Sequence, residues 1–423
     1  MKILLYSLNY SPELTGIGKY SGEMASWLAK SGHDVRVIAA PPYYPNWQVS
    51  EGYRSWAYQY QLFDGVKVWR CPIFVPKKLT GLKRILHLAS FALSSIPVLV
   101  RQLFWRPNVI ICVEPPFFCA PFGVVFSRLV GAKSLLHIQD FEIDAAIKLG
   151  LMPSFLPQKL IYFTELKILR RFDAVSSISR SMLKKLDGVG VHNSRHVFFP
   201  NWSNLTQVSY DVKAGQQFRE LCGVHASDYL ILYSGNMGEK QGLELVVEAA
   251  SEMSDMPAVK FLLCGDGVSR ERIEKLAESK NLDNISFLPL QPVEIFNKLL
   301  NSADVHLVLQ KAGAADLVMP SKLTNIIATG GYSVVTAEAS TELGVLLAEN
   351  EFLGSRVEPD NLAEFVSTLR ALSISQNPIE HVKIRDFAKN NFELDIVMSQ
   401  FEKDLQNLVD SKKERPDTSG ESL

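Results

Sequence analysis

Short apolar runs alternate along the chain with longer segments whose apolar residues recur every three or four positions. This alternation predicts parallel α/β construction. In the first half it predicts strands at Ile3–Leu8, Val35–Ala39, Val66–Arg70, Val109–Val113, Ser134–His137, Ala174–Ser177 and His196–Phe199. Helices are predicted between them near Lys19–Lys30, Leu82–Trp105, Cys119–Val130 and Phe155–Phe172. Pro41–Trp56, rich in Pro, Tyr and Trp, is too long for a plain connector and suits a loop that faces substrate. A polar stretch from Pro200 to about Gly215 reads as a hinge, and a second alternation then begins. Its strands are predicted at Leu230–Tyr233, Phe261–Cys264, Ile285–Leu288, Val305–Leu309 and Ser333–Thr336. Helices near Leu243–Met253, Arg270–Lys280, Val293–Asn301, Lys322–Thr329 and Leu362–Ala371 separate them. A single long helix over Ile384–Val409 and a polar, disordered tail from Ser411 close the chain. Two Rossmann-like domains facing each other across a cleft, 1–203 and 204–384, are the economical architecture.

Composition sharpens this picture in three places. The 423 residues are 47% hydrophobic and 21% charged, as in a soluble globular protein too long for one core. The five cysteines (Cys71, Cys112, Cys119, Cys222, Cys264) form no C-x-x-C pair and lie in or beside apolar runs. They read as reduced core thiols of a cytosolic protein, with no metal site. The net charge of −1 conceals a polarity. Residues 1–200 hold 24 Lys and Arg against 12 Asp and Glu, whereas residues 201–423 hold 20 against 33. Between Asp64 and Glu114 there is no acid, but Lys67, Arg70, Lys77, Lys78, Lys83, Arg84, Arg101 and Arg106 all fall there. Within this span, the segment Lys77–Arg106 fits a solvated basic face, a nucleic-acid surface, or an amphipathic helix lying on an anionic bilayer. Its apolar residues are mainly aliphatic and lack spaced stacking positions, which argues against nucleic acid. No secretory signal is expected, and Leu88–Val100 is too short to span a bilayer.

The candidate chemistry gathers at strand-to-helix loops. Val305–Leu309 leads through Lys311 to Pro320-Ser321-Lys322, where a helix opens and runs to Gly330-Gly331. Ser321 suits the N-cap, and a helix start flanked by Lys311 and Lys322 suits a phosphate or diphosphate. The alternative is an ordinary capped helix with solvated lysines. Gly16 and Gly18 lie after the first strand, and Gly235-Asn236 through Lys240 to Gly242 opens the second half in the same topological place. Both loops let backbone N–H groups approach a phosphate. The spacing is not G-x-G-x-x-G, so a dinucleotide fingerprint is weak. His137 and Asp140 end a first-half strand, and either bind sugar hydroxyls and move a proton or form a core histidine beside a helix-capping aspartate.

With these residues in place, the chain resembles the retaining glycosyltransferases of family four, which have the GT-B fold. The resemblance rests on the Gly16/Gly18 loop, the Leu28…Gly32-His33-Asp34-Val35 turn, Gly235…Gly242, Gly265-Asp266-Gly267 and Pro320-Ser321-Lys322…Gly330. In detail it looks like the enzymes of colanic-acid exopolysaccharide assembly, over Asn9–Gly18, Ala40–Pro45, His137–Asp140, Gly235–Glu244 and Gln310–Asn325. The resemblance implies transfer of a sugar, L-fucose from GDP-fucose, to a polyprenyl-diphosphate-linked oligosaccharide with retention. It implies a cytosolic enzyme peripheral to the inner face of the plasma membrane, with no cofactor or metal. A first domain for acceptor and membrane, a second for the donor, and a terminal helix (385–410) returning to the first domain are implied as well. Carried over, Gly16 and Gly18 face the donor diphosphate and His137 or Asp140 lies near the reacting sugar. Asn236 stands where the family has arginine, and Lys240 is one place before the expected lysine. Asn325 stands where a glutamate contacts the ribose. A nucleotide-sugar epimerase and a non-catalytic nucleotide-sugar-binding protein of the same fold are the alternatives.

Overall fold

The computed structural model describes residues 1–423 apart from 14–15, 77–80, 145–157, 189, 192–195, 204, 206–207, 313–320, 376–378 and 412–423. The chain divides into two compact units, one of residues 1–200 with 398–423 and one of residues 201–397.

The first unit is built on an eight-stranded sheet: β1 (Lys2–Tyr6), β2 (Asp34–Ala39), β3 (Gln59–Phe63), β4 (Val66–Arg70), β5 (Val109–Glu114), β6 (Lys133–Ile138), β7 (Ala174–Ser177) and β8 (His196–Phe198). Their order is β3-β4-β2-β1-β5-β6-β7-β8, parallel throughout except for the β3–β4 hairpin. The central strands are apolar at nearly every position because both faces are covered; all six residues of β5 are buried. The second unit carries six parallel strands, β9 (Tyr229–Ser234), β10 (Val259–Cys264), β11 (Ile285–Leu288), β12 (Val305–Val308), β13 (Ser333–Thr336) and β14 (Gly354–Val357), in the order β11-β10-β9-β12-β13-β14. In both sheets the order reverses beside the first strand of the unit, the place where open α/β sheets hold ligands.

Several expectations need correction. The edge strand β3 is not among the expected strands, because Gln59 and Gln61 alternate with Tyr60 and Leu62, whose side chains are exposed. β14 is too short and polar to register. Helices Arg180–Gly188, Val212–Leu221 and Glu342–Glu349 are additions, the second capped by Asp211, which accepts from the Ala214 N–H at 3.0 Å. The segment taken as hinge therefore ends in a helix of the second unit. The terminal helix is two: His381–Phe392 and Leu394–Asp410, with Glu393 extended between them. Residues 385–397 belong to the second unit, and the return to the first begins at Met398, not at 385. There Phe401 stacks on Phe199 at 3.7 Å between ring centroids, and Glu402 pairs with His33 at 2.6 Å. The tail from 412 onward lies outside the described residues.

The helical run Gly81–Gln102, broken only by a turn at Ser95, has 22 residues and is long and apolar enough to cross a bilayer. Its inner side is core: Leu88, Phe91, Ala92, Val98 and Leu99 are buried. Tyr6 and Ser95 share a hydrogen bond between their hydroxyls, and Arg36 Nη1 donates to Gln102 at 2.8 Å. A membrane span would have to abandon all of these contacts.

Candidate functional site

In the second unit the residues expected around a diphosphate come together at the carboxyl edge of the sheet. β9 ends at Ser234, and the chain turns through Gly235, Asn236 and Lys240 to Gly242. Gly235 has φ +140°, a backbone conformation that favours glycine, and Lys322 Nζ lies beside it, 3.5 Å from where a Cβ would stand. Lys322 is the second residue of helix Ser321–Ala328. Its Nζ sits 4.4 Å above the Tyr233 ring and donates to the Tyr233 hydroxyl at 3.2 Å. That hydroxyl in turn donates to the Asn236 carbonyl at 2.5 Å. Lys322 makes no ion pair among the described residues, and burial lowers its pKa to about 8.

Lys311 joins the same loop from the far side. Its N–H donates to the Lys240 carbonyl at 2.8 Å, and its side chain packs on Gly242. Its Nζ lies 3.6 Å from Glu244, which also holds Arg272, so part of its charge is already met. Asn236 and Lys240 are exposed. Asn325 is one turn along the helix from Lys322, and its Oδ1 accepts from the Ser203 hydroxyl at 3.0 Å. The helix opens at Ser321, whose side chain, and with it the expected N-cap role, lies outside the described residues.

The first unit is arranged differently from expectation. Gly16 begins helix Gly16–Lys30 with φ +60° and is exposed. Gly18 is buried, and what fills the space beside it is the Glu13 carboxylate: a Cβ at Gly18 would meet Glu13 Oε2 at 2.4 Å. That face of Gly18 thus presents an anion, not room for a diphosphate. Glu13 accepts from the Tyr43 and Tyr44 N–H groups at 3.0 and 3.1 Å and from Asn9 at 2.9 Å. Burial raises its pKa, partly offset by those two amides.

His137 is 2% exposed and does not open to solvent. Gln139 Nε2 lies 2.8 Å from its Nε2 and Ser176 Oγ 2.9 Å from its Nδ1. With the Gln139 amide donating, the ring keeps its proton on Nδ1 and gives it to Ser176, a neutral tautomer. Burial lowers its pKa to about 3, so it carries no charge at neutral pH. Asp140, two residues past the strand, is exposed.

Near Asp140 lies a group of acids, Glu142, Glu114 and Glu165, of which the last two carry no signal in the sequence. Glu142 accepts from the Phe117 N–H at 2.8 Å, and Arg84 stands 3.8 Å from its other oxygen. Glu114, the last residue of β5, is buried with neither carboxylate oxygen hydrogen-bonded among the described residues. Burial, then the Glu165 and Glu142 charges, raises its pKa well above the usual range.

Of the residues assigned to a membrane face, Lys83, Arg101 and Arg106 are exposed. Arg84 is turned inward to Glu142 and is not part of that face. Lys77 and Lys78 lie outside the described residues. Tyr233, Glu13 and Ser203 were missed. Only Tyr233 carried a signal, as the last apolar residue before a glycine loop.

Comparison with known proteins shows the family and the fold. Residues 15–202 match the model of a glycosyl transferase 4-like domain, and residues 219–390 that of glycosyl transferases group 1. The chain is 45% identical over 410 residues to a protein of Escherichia coli (strain K12) assigned to colanic acid biosynthesis as the glycosyl transferase WcaI, covering 96% of this chain and 100% of that one. Among solved structures, sucrose-phosphate synthase from Thermosynechococcus elongatus superposes with a TM-score of 0.76 at 17% identity, over 97% of this chain and 99% of that one. HepE from Anabaena, solved with UDP, gives 0.67 at 13% identity, over 96% and 100%. These two share the fold.

Proposed function

The chain belongs to the glycosyltransferases that join a 4-like domain to a group 1 domain, and from that premise we propose that it transfers L-fucose from GDP-fucose to a polyprenyl-diphosphate-linked oligosaccharide. It is a nucleotide-sugar-dependent glycosyltransferase of GT-B fold. The finer reading is exopolysaccharide assembly of the colanic-acid kind, on the cytoplasmic face of a membrane, with retention. The relative's assignment supports the pathway, and the basic, acid-free span of the first unit supports the membrane.

The observation that carries the reading is the Lys322 ammonium, which has no carboxylate partner among the described residues and is held on Tyr233 beside Gly235 at the end of β9. An anionic leaving group seated there meets Lys322, Lys311 and Lys240 together with the loop's N–H groups. Charge grows on the diphosphate as the bond from the anomeric carbon breaks, and these fixed donors stabilise it without a cofactor or metal. The acceptor hydroxyl oxygen bonds to the anomeric carbon, and its proton passes to the departing nucleoside diphosphate. In the first unit Asp140 presents its carboxylate to the acceptor, and His137 acts through Gln139 to hold that loop. Asn325, supported by Ser203, offers an amide to the ribose.

The test is nucleotide release from GDP-fucose and other nucleotide sugars, with and without lipid-linked acceptor. Release that requires acceptor is expected. Conversion of the donor sugar without acceptor would mean an epimerase, and binding without release would mean a binding protein.

A further inference from the structure

Resting on that membrane reading, we propose that the surface entering the bilayer is an apolar shelf made jointly by the outer stripe of the Gly81–Gln102 run and the aromatic edge of the first sheet. The run has two apolar sides. Opposite the buried one, Leu82, Leu86, Leu93 and Val100 are all exposed. They are spaced four, seven and seven positions apart, close to whole helical turns, so they form one line along the helix. Lys83 and Arg101 stand one position after Leu82 and Val100, on the flank of that line. Phe104, just beyond the run, is 90% exposed.

The sheet continues this surface. Pairing of Tyr60 with Trp69 and of Ile38 with Trp69 puts Tyr60, Leu62 and Trp69 on the face that also carries Arg36. Arg36 lies between the Trp69 and Trp105 rings and bonds Gln102, so the helical run covers this face of the sheet near its middle. At the edge the cover ends, leaving Tyr60 60% and Leu62 68% exposed, with Trp56 74% exposed ahead of them. The Tyr58 hydroxyl donates to the Ser94 carbonyl at 2.8 Å, which ties the edge to the helix and makes the two one surface.

An exposed apolar area of this kind calls for a partner. The charges around it select an anionic bilayer. Along the helical part of the shelf no acid occurs between Asp64 and Glu114, and the sheet edge lies between Glu51 and Asp64. Lys83, Arg101 and Arg106 are exposed and can meet phosphate headgroups. A second copy of the chain would bring these cations face to face across a two-fold axis. Exposed Trp and Tyr beside aliphatic side chains also match the headgroup–acyl boundary.

The experiment is co-sedimentation of the full chain with vesicles of equal parts phosphatidylglycerol and phosphatidylcholine, alongside Trp fluorescence with nitroxide-labelled lipid. Binding is expected, with quenching that is reduced in Trp56→Phe. Two variants, L86S/L93S/V100S and W56S/Y60S/L62S, should each weaken partition by roughly tenfold or more. Both should keep the wild-type thermal midpoint and donor-only nucleotide binding. Unchanged partition in either variant, or no quenching of Trp56, overturns the shelf. Loss of self-association in place of vesicle binding would identify an interface between copies and overturn it equally. Acceptor-dependent release from GDP-fucose in detergent reads the proposed transfer separately, so failure of either idea is seen on its own.

Discussion

Lys322 Nζ rests 4.4 Å above the Tyr233 ring and 3.2 Å from its hydroxyl, with no carboxylate paired to it among the described residues. A cation buried without a counter-ion costs stability until an anion arrives, and here burial lowers the pKa from an ordinary 10.5 to about 8. The consequence for pH has a definite sign. The folded protein releases this proton more readily than the unfolded chain, so the apo-protein gains stability as pH rises from about 8 toward 10.5. If Lys322 holds the donor diphosphate as proposed, donor binding runs the other way, because the anion is held by the ammonium form. Nucleoside diphosphate affinity should fall by up to about tenfold per pH unit above 8 in the wild type and stay flat in Lys322→Arg, measured by calorimetry.

Asn325 should contribute through an amide that Ser203 holds in place. Asn325→Leu removes the acceptor and strands the Ser203 hydroxyl. A loss of roughly tenfold in GDP affinity follows from one lost hydrogen bond. Asn325→Glu should preserve affinity, since a carboxylate accepts from both Ser203 and a ribose hydroxyl. Competition binding with GDP checks both, and a tighter Leu variant would contradict the role.

Glu13 clasps the Tyr43–Tyr44 backbone against the first helix, and Gly18 leaves it room to do so. Gly18→Ala forces the carboxylate out and should cost about 1–3 kcal/mol by overpacking. Glu13→Gln keeps the shape and part of the clasp, so it should be milder. Urea unfolding ranks the two, and hydrogen exchange at Tyr43 and Tyr44 should quicken in both.

Phe401 anchors the terminal helix by stacking on Phe199, which also touches His137 at 5.0 Å. Phe401→Ala should destabilise the first unit by about 3–5 kcal/mol. It should also loosen the His137–Gln139 pair, seen as a change in the histidine's NMR signals. An unchanged melting profile would show that the return of the chain is not needed for the first unit.

Much of the fold was legible because parallel strands covered on both faces read as apolar runs; β1, β5, β9 and β10 needed nothing else. β3 was not, since an edge strand with exposed Tyr60 and Leu62 breaks the link between apolar and buried. The gathering of Gly235, Lys240, Lys311 and Lys322 at the carboxyl edge of the second sheet was legible as glycines and lysines placed after strands. The Glu13 clasp in the first-unit loop was not legible, because a glycine that admits a neighbouring carboxylate looks in sequence the same as one that admits a phosphate. His137 shows the same limit: its strand-end position is visible, but Ser176, Gln139 and Phe199, which neutralise and bury it, come from elements far along the chain or just beyond it.

Titration of GDP and GDP-fucose into the wild type and Lys322→Ala by calorimetry reads the diphosphate seat most directly. Saturable binding in the wild type at or below millimolar concentration is expected, with about 10- to 100-fold weaker binding in the variant, from loss of a charged hydrogen-bond donor. Equal affinity in the two proteins, or no binding of any nucleoside diphosphate sugar at millimolar concentration, would contradict it.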